Sequence, residues 1–237
     1  MGIVIKLKDV EFTNILELAE YPKLPSLQGL YFLDETQNIA SGTILDSSGK
    51  GNDGTITGDI TMHASDNAMT FNGTYSSPRI DTGIAAITTP TFIYVAMKDT
   101  SVNTNSRGVI TNYSSGGIEC GTGATTCSIG STKNVSTQVS DTKFEIVCVQ
   151  VTETSVTVYK YDTVNKTFAQ YATAEPGTLV QSAKTYRIGG SHQNMTNNGG
   201  VHIAMAGIYN TLLSKEAMDS AGSYLCAKYK GKLAGIA

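Results

Sequence analysis

The stretch Asp46-Ser47-Ser48-Gly49-Lys50-Gly51-Asn52-Asp53-Gly54-Thr55-Ile56-Thr57-Gly58 constrains this chain more than any other. Four of its thirteen residues are glycine, and Asp, Asn and Ser fill most of the rest. Glycine reaches positive φ without steric cost, and Asp, Asn and Ser bond their own nearby backbone. The stretch therefore predicts a tight, internally bonded turn that feeds a short strand at Thr55–Thr57. Turn formers recur along the chain, which holds 24 glycines and is rich in Ser, Thr and Asn. A chain punctuated this often has room for many short strands and few long helices.

The segments between the turns follow that expectation. Ile3, Ile5 and Leu7 alternate with Val4, Lys6 and Lys8, a half-buried strand pattern over Ile3–Val10. Residues 13–29 are broken by Pro22 and Pro25. Thr91–Met97 is apolar on both faces, as a central sandwich strand requires. Residues 99–107 are polar and read as a loop, and Gly108–Thr111 as a short strand. Residues 112–142, rich in Ser, Gly and Thr, carry several short strands at best. Phe144–Val151 and Ser155–Tyr161, joined by Thr152-Glu153-Thr154, read as a hairpin. Tyr186–Gly190 is a strand with a glycine stop, and Val201–Tyr209 is the next strand after the loop Ser191–Gly200.

Ser214 then caps a helix over 214–230. Its hydroxyl can bond the orphan N–H groups of the first turn, and Glu216 complements the positive end of the dipole. Met218, Ala221, Leu225 and Tyr229 recur at helical spacing, and Gly231 ends the element. The expected fold class is all-β: an antiparallel β-sandwich with one short C-terminal helix.

A chain of 237 residues can form a sandwich as a single domain. Only 16% of residues are charged and the net charge is -3, which gives no electrostatic reason to expect nucleic acid or an anionic membrane. No apolar run approaches the ~20 residues of a membrane-spanning helix. The N-terminal lysines interrupt the apolar residues instead of preceding them, so no signal-peptide layout is visible. Of the four cysteines, Cys148 lies in an apolar strand and Cys226 on the helix. Cys120 and Cys127 sit in a Gly/Thr-rich segment where a small disulfide loop competes with reduced thiols; the missing export signal favours the thiols. The absence of a CxxC pair argues against a zinc site.

Four motifs in order, Asp46–Gly54, Phe71–Gly73, Tyr186–Gly190 and Ile208–Glu216, resemble the laminin-G-like branch of the concanavalin A-like lectin/glucanase superfamily. The resemblance covers roughly residues 30–230. It implies a concanavalin A-like jelly roll over 30–237, preceded by a strand and linker over 1–29 that can tie the domain to an assembly. Two departures stand out. Ala204 occupies a position where that family usually has an acidic residue, which weakens any calcium site shared with the last strand. The chain also has no Trp for a sugar platform. The Glu-x-Asp-x-x-Glu strand of the superfamily's glucanases is missing, and Glu145, Glu153 and Glu175 are scattered over different segments. No catalytic residue is expected, and the chain reads as a non-enzyme.

Asp46, Asn52 and Asp53 offer oxygens for a calcium ion, although turn formation explains them equally well. No other cofactor is expected. The strand-joining segments carry Arg79, Asp81, Tyr113, His192, Asn194, Asn197 and Asn198, which are candidate glycan-binding residues; polar loop residues also serve merely to face water. His63, His192 and His202 never fall at metal-ligand spacing, though His192 and His202 flank one loop and can approach across it. A lectin-like sandwich normally works outside cells, yet no export signal is visible. A phage structural protein resolves this, being made in the host cytoplasm and released by lysis. The opening Gly2–Phe12 is also similar to the starts of some phage and Bacteroides-type lectin-like proteins. The expectation is a non-enzymatic, homo-oligomeric surface module of a phage particle (tail fibre, tail or head decoration) that binds host-surface glycans. Its partners would be other virion proteins or copies of itself. The alternative is a free extracellular bacterial lectin or an inactive glycosidase relative.

Overall fold

The computed structural model describes residues 20–236 apart from 35–38, 40, 64–66, 102–104, 106, 115, 130, 176–179 and 194–197, with the backbone alone at 125–129, 131–134 and 198. The expected strand Ile3–Val10 lies outside the described residues.

Two eight-stranded sheets face each other. The first contains β1 (Leu27–Phe32), β4 (Thr61–Met62), β5 (Met69–Thr74), β7 (Thr91–Asp99), β12 (Glu145–Val151), β13 (Val156–Asp162), β14 (Thr167–Ala174) and β16 (Asn198–Tyr209). The second contains β2 (Thr43–Ile44), β3 (Gly54–Thr57), β6 (Arg79–Asp81), β8 (Gly108–Thr111), β9 (Gly117–Gly121), β10 (Ala124–Ile129), β11 (Ser131–Ser136) and β15 (Arg187–Ile188). Their spatial orders are β14-β13-β12-β7-β16-β5-β4, with β1 also on β16, and β11-β10-β9-β8-β15-β6-β3-β2. The pairings run antiparallel, as in β7 against β16 and β8 against β9. The architecture is thus the expected all-β sandwich. A C-terminal helix, α1 (Lys215–Tyr229), starts at Ser214, whose side chain accepts from Ala217 N.

Strand β7 shows how the layers form. Phe92, Tyr94 and Ala96 point between the sheets and join Ile80, Ile110, Ile118 and Ile188 of the second sheet. Ile93, Val95 and Met97 point the other way and join Met218, Ala221, Leu225 and Tyr229 of α1. Alternation in a strand sends neighbours to opposite faces, so a strand apolar on both faces needs cover on both. The first sheet has it, sandwiched between the second sheet and α1; the two are therefore distinguished below as the helix-side sheet and the open sheet. Ala204 is the extra residue of a bulge between Ile203 and Met205. Its carbonyl accepts from Leu33 N and from the Tyr229 hydroxyl, each over less than 3 Å, which ties α1 to the sheet.

The lead-in joins this layer earlier than position 30. Strand β1 begins at Leu27, and the Tyr21 and Tyr209 hydroxyls share a buried hydrogen bond of 2.6 Å. The hairpin expected at Thr152–Thr154 joins β12 to β13, and residues 112–142 hold β9, β10 and β11.

Candidate functional site

The turn at Asp46 is built as its composition requires. Asp46 Oδ1 accepts from Leu30 N and Ser48 N, and Oδ2 from Asn52 N and the Ser48 hydroxyl. Asp53 Oδ1 accepts from Asp46 N, and Asn52 Nδ2 donates to Gln28 O. Gly49 and Gly51 take φ of 82° and 76°, where a side chain would be strained. A carboxylate whose oxygens already accept four N–H and O–H donors does not fit a hard cation, which would have to displace them. The residues act as a brace between this turn and β1.

A polar row crosses the outer face of the open sheet. Ile80, Ile110, Ile118 and Ile188 point inward, so their neighbours Asp81, Thr111, Glu119 and Arg187 point outward. Register aligns these in one line: Glu119 opposite Thr111, Thr111 opposite Arg187, Arg187 opposite Asp81, and Asp81 opposite Thr55. Asp81 is the junction. Its Oδ1 accepts from Arg187 Nε at 2.6 Å, and its Oδ2 from Arg79 Nε at 3.0 Å and from the Thr57 hydroxyl at 3.3 Å. Each arginine then turns one Nη1 to a loop carbonyl, Arg79 to Ser76 O and Arg187 to Ser191 O.

The loops above the row add further groups. Tyr75 donates its hydroxyl to Glu119 Oε1. Glu119 Oε2 is buried without a hydrogen-bond partner among the described residues. Burial raises the Glu119 pKa, and the hydroxyls of Tyr75, Ser191 and Thr111 pull it down only part of the way. His192 donates Nε2–H to Thr185 O at 2.8 Å, which fixes the neutral tautomer. Burial lowers its pKa; the Thr185 bond and the Asp81 charge oppose this, while Arg187 and Lys184 add to it.

Arg107 underpins this end of the molecule. It is fully buried. Its guanidinium donates to the carbonyls of Gly189, Gly73, Thr74, Gly199 and Pro78. These carbonyls belong to the ends of β5, β15 and β16 and to the turn into β6. Burial lowers the Arg107 pKa to about 10, so the group stays a cation at neutral pH.

Of the sequence candidates, Arg79, Asp81 and His192 come together on this face. Tyr113 reaches it through its backbone, whose carbonyl accepts from the Ser191 hydroxyl at 3.4 Å. Asn198 does not share the open sheet: it opens β16 and pairs with Thr74 on the helix-side sheet. Asn194 and Asn197 lie outside the described residues. Arg187, Glu119 and Tyr75 are not among the sequence candidates. For Arg187 a signal exists, because alternation in Tyr186-Arg187-Ile188 puts it opposite the two apolar neighbours.

His192 and His202 do not meet. His202 lies on the outer face of the helix-side sheet, where its ring centroid is 4.1 Å from that of His63. Its Nδ1 meets the Thr70 hydroxyl at 2.9 Å, and its Nε2 lies 3.6 Å from Asp99 Oδ2. His192 follows β15 of the open sheet, whereas His202 stands on β16 of the helix-side sheet, which separates the two rings. Cys120 and Cys127 are not direct cross-strand partners either, since the register sets Cys120 opposite Thr125 and Cys127 opposite Ile118. Among the described residues no group of three or more His, Cys, Asp or Glu is arranged to hold a metal ion.

No protein-family model matches this chain, and no curated protein sequence does. Solved structures do. The botulinum neurotoxin serotype D binding domain superposes with a TM-score of 0.58 at 12% identity, over 85% of this chain and 51% of that one. The binding domain of Paraclostridial Mosquitocidal Protein 1 gives 0.60 at 10% identity, over 85% and 52%. Trypanosoma rangeli sialidase, solved in complex with sialic acid, gives 0.58 at 12% identity, over 87% and 34%. The chain therefore spans about half the length of these toxin domains and about a third of the sialidase. At such identities the likeness concerns fold alone: this chain shares its β-sandwich with those proteins.

Proposed function

We propose that this chain is a non-catalytic binding module that holds a carbohydrate against the outer face of its open sheet. The observation that carries this reading is the outward polar row with Arg79, Asp81, Arg187 and His192 gathered at one end. Fixed guanidinium, carboxylate, hydroxyl and imidazole groups on a rigid sheet suit the hydroxyl-rich surface of a sugar. The shared fold with toxin binding domains and a sialidase agrees with it. A glycosidase reading fits less well. Glu119 and Asp81 stand three strands apart in register, or about 14 Å at ~4.8 Å per strand. Paired glycosidase carboxylates stand about 5–10 Å apart.

The module is carried on a phage particle in this proposal, a setting motivated by the likeness of Gly2–Phe12 to the starts of some phage and Bacteroides-type lectin-like proteins. Mass spectrometry of purified particles tests it; detection only as a secreted protein would favour a free lectin. The binding reading is tested on a glycan array. Wild type should bind at least one sugar class, and Thr57→Val with Asp81→Ala should lose it while keeping the wild-type circular-dichroism spectrum. Undiminished binding by that double variant would move the site elsewhere, and an array without any bound glycan would end the lectin reading.

A further inference from the structure

Asp81 organises the two arginines in an unusual way. A carboxylate and a guanidinium satisfy each other best as a parallel pair of hydrogen bonds from the fork. Here both arginines approach through Nε alone, Arg187 at 2.6 Å and Arg79 at 3.0 Å to the nearer oxygen. Their Nη1 atoms are directed to Ser191 O and Ser76 O. The Nη2 of each makes no hydrogen bond among the described residues. The side chains are 21% and 17% exposed, so their fork ends are fixed yet reachable by solvent.

The charge count points the same way. The chain as a whole carries -3, but this spot sets two guanidinium cations against one carboxylate. Lys184 adds positive potential nearby, and His192 is held neutral by its burial. Glu119 lies two strands further along the row from Arg187, roughly 10 Å away at ~4.8 Å per strand, with its ionisation disfavoured by burial. The local excess is therefore cationic, and each guanidinium keeps its Nη2 group as a charged donor for one oxygen of a carboxylate or sulfate.

We propose that Arg79 and Arg187, braced on Asp81, form an anion clamp that makes this face selective for acidic carbohydrates, the sugar's carboxylate or sulfate bridging the two guanidinium ends. The inference rests on the glycan-binding reading above and adds the chemical class of the ligand. The Thr57 hydroxyl and the His192 ring flank the clamp and are positioned for the sugar's hydroxyls. Arg79 and Asp81 stand on β6 and Arg187 on β15, so two adjacent strands fix the spacing without a mobile loop.

Titration calorimetry with trigalacturonate and with its methyl ester separates charge from shape. The acid should bind roughly tenfold or more tightly than the ester, as charge-assisted hydrogen bonds require. Inorganic sulfate should compete, and raising the salt should weaken the acid alone. Arg79→Gln and Arg187→Gln should each bring the acid to within about twofold of the ester, by removing those hydrogen bonds. If Arg187→Gln does not fold, Arg79→Gln decides the matter, since its contacts are half-exposed. Equal binding of acid and ester, or acid binding indifferent to Arg79→Gln, would overturn the clamp and leave the glycan reading standing. Failure of the acid to bind also overturns the clamp; together with an empty glycan array it removes both.

Discussion

The two outer faces of the sandwich solve the same problem in opposite ways. On the helix-side sheet, Ile93, Val95, Ile146, Cys148 and Met205 point outward and are sealed under α1 by Met218, Ala221, Leu225 and Tyr229. On the open sheet the outward positions hold Thr57, Asp81, Thr111, Glu119 and Arg187, with no helix above them among the described residues. Apolar area must leave water to stabilise the fold, so the first face is committed to packing. The second face satisfies its groups by hydrogen bonds to one another, which leaves donors at its surface for something else. The comparison predicts that substitutions on the helix side cost stability, and that exposed substitutions on the open side cost binding.

The largest effect should come from the one group that belongs to neither face. Arg107→Met would leave the carbonyls of Gly73, Thr74, Pro78, Gly189 and Gly199 without their buried donor. Removing one partner from a buried charged network costs about 3–5 kcal/mol, or roughly 10–15 °C in Tm for a domain of this size. Thermal unfolding followed by circular dichroism measures it. A shift below about 3 °C would mean that the carbonyls find water and that the hub is dispensable.

On the helix side, Leu225→Ala should follow at about 3 kcal/mol, the transfer term plus a cavity under α1. Gly222→Ala tests the same seam from the opposite direction. A Cβ there would lie 2.3 Å from the Tyr161 ring and 2.9 Å from Phe168, so the helix must lift. Overpacking of this kind costs about 1–3 kcal/mol. If Gly222→Ala were neutral, α1 would be a loose cover and the contrast between the faces would weaken. Ser214→Ala removes the cap from Ala217 N and should cost about 1 kcal/mol. Chemical denaturation curves rank these three variants.

The sequence reveals these faces unequally. The both-sided apolar run of Thr91–Met97 announces a roofed strand, and the caps and spacing of 214–230 locate the roof. Arg79-Ile80-Asp81 shows by alternation alone that both charges share a face. Other parts leave no local trace. Strand β14 is a polar edge whose only buried side chain is Phe168, so Thr167–Ala174 lacks a readable period. Arg107 sits in a polar stretch that reads as a loop, and it is buried only because carbonyls from four distant segments converge on it. Nothing in Gly117-Ile118-Glu119-Cys120-Gly121 shows that Tyr75, 44 residues away, will cover the carboxyl. Such features depend on chain crossings between sheets, which short-range patterns do not encode.

The smallest effect is the one that most sharpens the contrast, because it isolates the single buried carboxyl of the open face's row. Burial raises the Glu119 pKa in the folded protein above its ordinary value of 4.5. Between those two values the folded state binds more protons than the unfolded state, so stability falls as pH rises. The contribution of Glu119 is fully present below about pH 4.5 and is lost as pH climbs through the folded value. Glu119→Gln keeps the shape and can still meet the Tyr75 hydroxyl, but it cannot ionise. The Tm of this variant relative to wild type should therefore rise from pH 4 to pH 7. His192 and Asp99 titrate alike in both proteins and cancel from the difference. On the helix side the corresponding buried groups, Cys148 and Tyr209, have pKa values pushed upward by burial, further from neutrality. Leu225→Ala should accordingly show the same Tm difference from wild type at both pH values. A Glu119→Gln difference independent of pH would mean that water reaches the carboxyl and that the row is open along its whole length.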